Sequence, residues 1–188
     1  MTSFLPSGLL AGAVLLLAGC AGSGGHAQTP DRSGTRALPV AGDLASIRYD
    51  VGPCHGDCPV YSIEVLPDGT TTFIGRQHTQ VYGRQARQNG EQAFTQLRRT
   101  LAPWQPVMNQ QRESTGCGPR ITDMSHYTVT WTGRDGRQAR LLHDGGCRSA
   151  SALSLTRLFD EEIPDALGVA SWVGTPSMAP LSGRPRHH

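Results

Sequence analysis

CHGDCPVYSIEVLPDGTTTFIG, residues 54–75, sets two cysteines four positions apart ahead of two apolar-rich runs. In Val60–Leu66, Tyr61, Ile63 and Val65 fall on one side and Ser62, Glu64 and Leu66 on the other. That period of two belongs to a strand. Pro67-Asp68-Gly69 then turns the chain, because proline presets φ and glycine accepts φ > 0. TTTFIG, Thr70–Gly75, returns, so Val60–Gly75 reads as a β-hairpin. Just before it, Gly56 permits a tight turn between Cys54 and Cys58, and Pro59 restricts Cys58 to an extended backbone.

Outward from this hairpin the periods continue. Leu44–Val51 alternates Ile47, Tyr49 and Val51 against Arg48 and Asp50, a strand, and His78–Tyr82 is expected to extend the sheet. Asn89 is placed to cap a helix carrying Phe94, Leu97 and Leu101, with Pro103 stopping it. Tyr127, Val129 and Trp131 alternate with Thr128 and Thr130, Gly133–Gly136 turns, and Gln138–His143 returns as a second hairpin. Ser149 or Ser151 caps a last helix with Leu155, Leu158 and Phe159 near one face, ended by Pro164. The order implies one α+β domain over residues 44–165. A small antiparallel sheet of two hairpins plus an N-terminal strand carries two helices packed on one face.

The ends read differently. Leu9–Ala18, LLAGAVLLLA, is too short to span a bilayer and suits the apolar core of an export signal. It runs into Leu17-Ala18-Gly19-Cys20, which resembles a bacterial lipobox, although MTSFLPSG before it has no Lys or Arg. The resemblance implies removal of residues 1–19 and acylation of Cys20, which would anchor the chain to a membrane. Ala21 after the cysteine resembles the signal for outer-membrane sorting, which implies a domain facing the periplasm. Residues 20–40 hold almost no large apolar side chain and read as a flexible tether; residues 174–188 read as a disordered tail in which His187 and His188 are solvated.

All 17 basic residues are arginine, balanced by 15 acidic ones to a net charge of +2, with no basic stripe for nucleic acid. The expected partners are the membrane, through the lipid, and an envelope protein, glycan or small ligand.

Export puts the cysteines in an oxidising compartment. Without Cys20, four remain, which allow three pairings. Spacing favours Cys54–Cys58 and Cys117–Cys147. The first closes a short loop; the second brackets the Tyr127–His143 hairpin. Chain-entropy estimates give roughly 2 and roughly 3.7 kcal/mol respectively.

Chemistry is sparse. Thiol oxidoreductases place Cys-x-x-Cys at a helix N-terminus, whereas three residues intervene here and a strand follows. Cys54, His55 and Cys58 remain the candidates for redox or metal chemistry, with His78, His126 or His143 as conceivable further ligands. No second close Cys/His pair completes a zinc pattern, and adjacent Cys54 and His55 point to opposite sides of an extended chain. Asp123, Ser125 and His126 are close in sequence, as are His143 and Asp144, but proximity in sequence does not make a triad. Gly145-Gly146 reads as a turn and Asp160, Glu161 and Glu162 as a solvated helix face. No catalytic residue, cofactor or metal is implied.

The residues Cys54-His55-Gly56-Asp57-Cys58-Pro59-Val60-Tyr61, followed by Asp68-Gly69, Gly75 and Ile121-Thr122-Asp123, resemble an uncharacterised bacterial family of exported proteins and lipoproteins. Its signature is roughly Cys-x-Gly-x-Cys-Pro-x-Tyr. The resemblance implies a domain over about residues 44–163 and no known activity.

Overall fold

The strands are β1 Leu44–Val51, β2 Val60–Val65, β3 Thr70–Gln77, β4 Gly83–Gln88, β5 Gln111–Glu113, β6 His126–Gly133 and β7 Gln138–Asp144. They form one seven-stranded sheet in the order β4-β3-β2-β1-β6-β7-β5, with β1 in the middle. The computed structural model describes residues 43–174. The signal segment, Cys20, the tether and the tail with His187 and His188 lie outside the described residues.

Register follows the alternation. Tyr49 lies opposite Ile63 on β2 and Val129 on β6, and Ile63 lies opposite Phe73 on β3. One face is therefore mainly apolar: Ile47, Tyr49, Tyr61, Ile63, Phe73, Val129, Trp131 and Leu141 are all buried, with Thr71 and His143 the polar exceptions among them. Each such side chain contributes roughly 1.5–3 kcal/mol on leaving water. The opposite face carries Arg48, Asp50, Glu64, Thr72, Thr128 and Thr130, the polar side of an antiparallel sheet.

The apolar face is covered by α1, Glu91–Leu101, through Phe94, Leu97 and Leu101. It is also covered by α2, Ala150–Arg157, which runs through a π-helical turn at Leu158–Glu162 into α3, Ile163–Ala166. Leu155, Leu158, Phe159 and Ile163 from this segment join the same core. A last turn, α4 Ala170–Val173, ties back to the β3–β4 connection, where Val81 N–H donates to Trp172 O at 2.9 Å.

The fold class is α+β as expected, but the small sheet is corrected to seven strands, with β5 parallel to β7. His78–Tyr82 is a connection, and the strand comes after it, as β4. Asn89 does not cap α1. Its Nδ2 donates to Thr71 Oγ1 and Leu167 O, both at 3.0 Å, and Gly90 holds the cap position without a side-chain bond. Ser149 does cap α2, accepting from Ala152 N–H at 3.2 Å. Pro164 does not end the helical segment. It lies at the start of α3, directly after the π-helical turn, and the helical segment continues past it.

Candidate functional site

Register decides where the loops meet. Val51, at the end of β1, lies opposite Tyr61 and Tyr127, and Tyr127 lies opposite His143. The connections 52–59, 78–82, 114–125 and 145–149 therefore gather at one end of the sheet. The chain enters β1 at the other end, where Leu44 lies opposite Gly133.

Backbone bonds join these loops to one another. Gly52 N–H donates to His126 O at 2.8 Å, His55 N–H to Asp123 O at 2.9 Å, and Ile121 N–H to Gly146 O at 2.8 Å. The structure joins Cys54 to Cys58, with Cα atoms 5.7 Å apart, and Cys117 to Cys147, with Cα atoms 4.6 Å apart. The His55–Asp123 bond links the loop of the first bridge to the loop of the second. At Gly146 a Cβ would sit 2.0 Å from Ile121 O, and at Gly145 2.7 Å from Ser125 O. The glycine pair is there because backbone passes over it.

The candidate residues divide. His55, His78 and His126 are exposed at this end; His143 is buried. His78 Nδ1 stands 3.6 Å from Asp57, and His126 Nδ1 4.0 Å from Asp144, which also takes Arg120 Nε at 3.2 Å. With both thiols in the bridge, Cys54 and Cys58 bind a metal only after reduction. Among the described residues, no three His, Cys, Asp or Glu side chains converge as a metal site. Asp123 accepts from the neighbouring Thr122 hydroxyl, and no hydrogen bond joins the side chains of Asp123, Ser125 and His126.

A cavity of about 340 Å³ opens here, walled by Glu113, Ser114, Arg120, His126, His143 and Asp144, with Cys147 among its lining. His143 Nδ1 lies 2.8 Å from Ser114 Oγ and its Nε2 2.8 Å from Thr156 Oγ1. Burial holds its pKa below the ordinary histidine value, although Asp144 opposes this. The ring is neutral at pH 7, one nitrogen donating and the other accepting. A serine nucleophile needs its histidine oriented by a group that stabilises the imidazolium, usually a carboxylate. Thr156 supplies only a hydroxyl, and Ser114's own N–H is spent on Leu142 O at 2.8 Å. The arrangement pins β5 and α2 to β7.

Behind it, the Tyr127 ring stacks on Phe159 with centroids 5.2 Å apart, and its hydroxyl donates to Asp160 Oδ1 at 2.7 Å. Asp160 is thus no simple member of a solvated face: the π-helical turn aims one carboxylate oxygen inward. Burial raises its pKa, and the Tyr127 bond pulls it partly back. Glu162 does behave as a surface residue, pairing with Arg157 at 3.0 Å. Sequence reasoning missed Ser114, Thr156, Glu113 and Arg120. Ser114 and Thr156 stand 29 and 13 positions from His143, and only the topology joins them.

The two bridges indicate an oxidising, extracytoplasmic compartment, and no described helix is long and apolar enough to cross a membrane. The class defined by these features is a disulfide-tied α+β domain that presents a stitched loop end. The chain belongs to a family described as a domain of unknown function (DUF6438), whose model matches residues 45–162. No curated protein and no solved structure matches it.

Proposed function

We propose that the chain is an exported lipoprotein, anchored through an acylated Cys20. Its domain is a non-catalytic interaction module whose loop end receives an envelope protein, a glycan or a small ligand. One observation carries this reading: at the end of the sheet away from the chain's entry, the 114–125 and 145–149 loops, bridged to each other, border a cavity, and a backbone bond from His55 to Asp123 ties the bridged 52–59 loop to them. Bridged, mutually bonded loops lose little freedom on binding, which is what a recognition surface requires.

Intact mass of protein isolated from membranes, with thiol alkylation before and after mild reduction, tests the first half. The expected result is lipid on Cys20 and no alkylated thiol until strong reduction. An unacylated Cys20 refutes the anchor. Alkylation of Cys54 and Cys58 after mild reduction, with Cys117 and Cys147 resistant, replaces the interaction reading with thiol-redox chemistry. Photo-crosslinkers at His126 and, as control, at Arg134 on the opposite end test the second half. Adducts from His126 alone support the reading, and adducts from Arg134 alone overturn it.

A further inference from the structure

The two edges of the sheet are built differently. β5 is three residues long and gives way at once to the 114–125 loop. β4 is six residues long, exposed at every position, and pairs with β3 without a bulge from Thr70↔Gln88 to Gly75↔Gly83. Natural sheets blunt such edges with bulges, short strands, charged side chains or covering elements, and of these β4 has only its arginines. Among the described residues, nothing pairs with the outer side of β4.

The direction of its backbone groups follows from one bond. Asn89 N–H donates to Gly69 O at 3.1 Å, so residue 89 faces β3. Alternation makes Arg87 and Gln85 face β3 as well, and turns the N–H and C=O of Arg84, Ala86 and Gln88 outward. Three donor–acceptor pairs therefore line an open edge. Its charge has one sign. Arg84 and Arg87 are exposed, β4 holds no acid, and neither guanidinium meets a carboxylate among the described residues. Arg84 reaches only Thr72 Oγ1, and Arg87 donates to Gly168 O. Tyr82, 65% exposed, stands at the entrance to the strand on a backbone fixed by the Val81–Trp172 bond.

We propose that β4 is a docking edge for an extended, acidic segment of another polypeptide, which adds to the sheet as an eighth strand. Main-chain bonds to Arg84, Ala86 and Gln88 supply the pairing, and carboxylates beside Arg84 and Arg87 supply the preference. The chain's own ends are poor occupants. Residues 175–188 hold Arg184 and Arg186, no acid, and three prolines; residues 21–42 hold Asp31 against Arg32 and Arg36. A second copy pairing edge to edge would gather four arginines. This surface is independent of the loop end.

The test uses the full chain in detergent and a capped octapeptide, Glu-Glu-Val-Val repeated, which puts carboxylates on both faces of the added strand and so beside both Arg84 and Arg87, with hydrogen exchange read residue by residue. Adding the peptide is expected to slow exchange at Arg84, Ala86 and Gln88 and to leave Gln85 and Arg87, already bonded to β3, unchanged. Ala86→Pro removes an outward donor while sparing the β3 ladder, and is expected to weaken binding about tenfold, the worth of one hydrogen bond at the strong end. Arg84→Glu is expected to weaken it similarly, and a Lys/Val peptide not to bind. Uniform or absent protection, or affinity unchanged by both substitutions, overturns the proposal. Protection of the three amides before any peptide is added also overturns it, in favour of the chain's own ends or a second copy.

Discussion

Removing the Cys117–Cys147 bridge is expected to cost the domain more than removing Cys54–Cys58, by a margin that the loop lengths set. The cysteines of the first are 30 positions apart and those of the second 4. In Cys117→Ala/Cys147→Ala the folded loop keeps its other ties, Ile121 N–H to Gly146 O and Arg148 N–H to Cys117 O. The loss therefore falls on the unfolded chain, which regains the freedom the bridge had removed. That freedom is worth about 3.7 kcal/mol, against about 2 kcal/mol for Cys54→Ala/Cys58→Ala. At the usual unfolding entropy per residue, a domain of this size loses about 13 °C and about 7 °C in melting temperature. Circular dichroism melts and urea titrations of both variants, under non-reducing conditions, measure the two losses. Equal losses, or a larger one for the short bridge, would show that the bridges act through native-state geometry and would refute the entropy argument.

Other outcomes are as specific. His143 is held below the ordinary histidine pKa in the folded state, so the unfolded chain takes up a proton that the folded one refuses. Stability should fall as pH drops below about 6.5, and His143→Gln should flatten that part of the urea-midpoint profile. Gly75→Ala puts a Cβ 2.0 Å from Val81 O and 2.5 Å from Thr79 Oγ1, and should destabilise by more than about 2 kcal/mol in urea melts. Tyr127→Phe removes the donor that lowers Asp160, so the carboxyl titration followed by NMR should move to higher pH while the stacking on Phe159 survives.

The hairpins were legible because each strand buries one face, which writes a period of two into the sequence, and because Pro67-Asp68-Gly69 and Gly133–Gly136 mark the turns. β4 was illegible for the converse reason. GRQARQ buries nothing, so it has no alternation to read, and its pairing rests on backbone alone. β5 is a three-residue parallel contact that no periodicity announces. Asn89 had the residue type of a cap but is used as a tie between β3 and the turn after α3, a choice made by tertiary geometry. At the candidate site, cysteine spacing anticipated the two pairings seen in the structure. The seat of His143 between Ser114 and Thr156 was out of reach, since strand order, not proximity in sequence, brings those hydroxyls together.

β1 has three strands on either side, with the chain entering at one end and the bridged loops at the other. Tension between a membrane anchor and something held at the loop end would therefore run lengthwise through it, over about 26 Å of extended chain. Its ladders to β2 and β6 would be loaded in shear, many bonds at once, instead of being peeled one by one. Forced rupture is governed by the unfolding rate, and shear geometry keeps that rate low. Under the proposed anchoring, strand order would let this domain resist being pulled out of shape along β1.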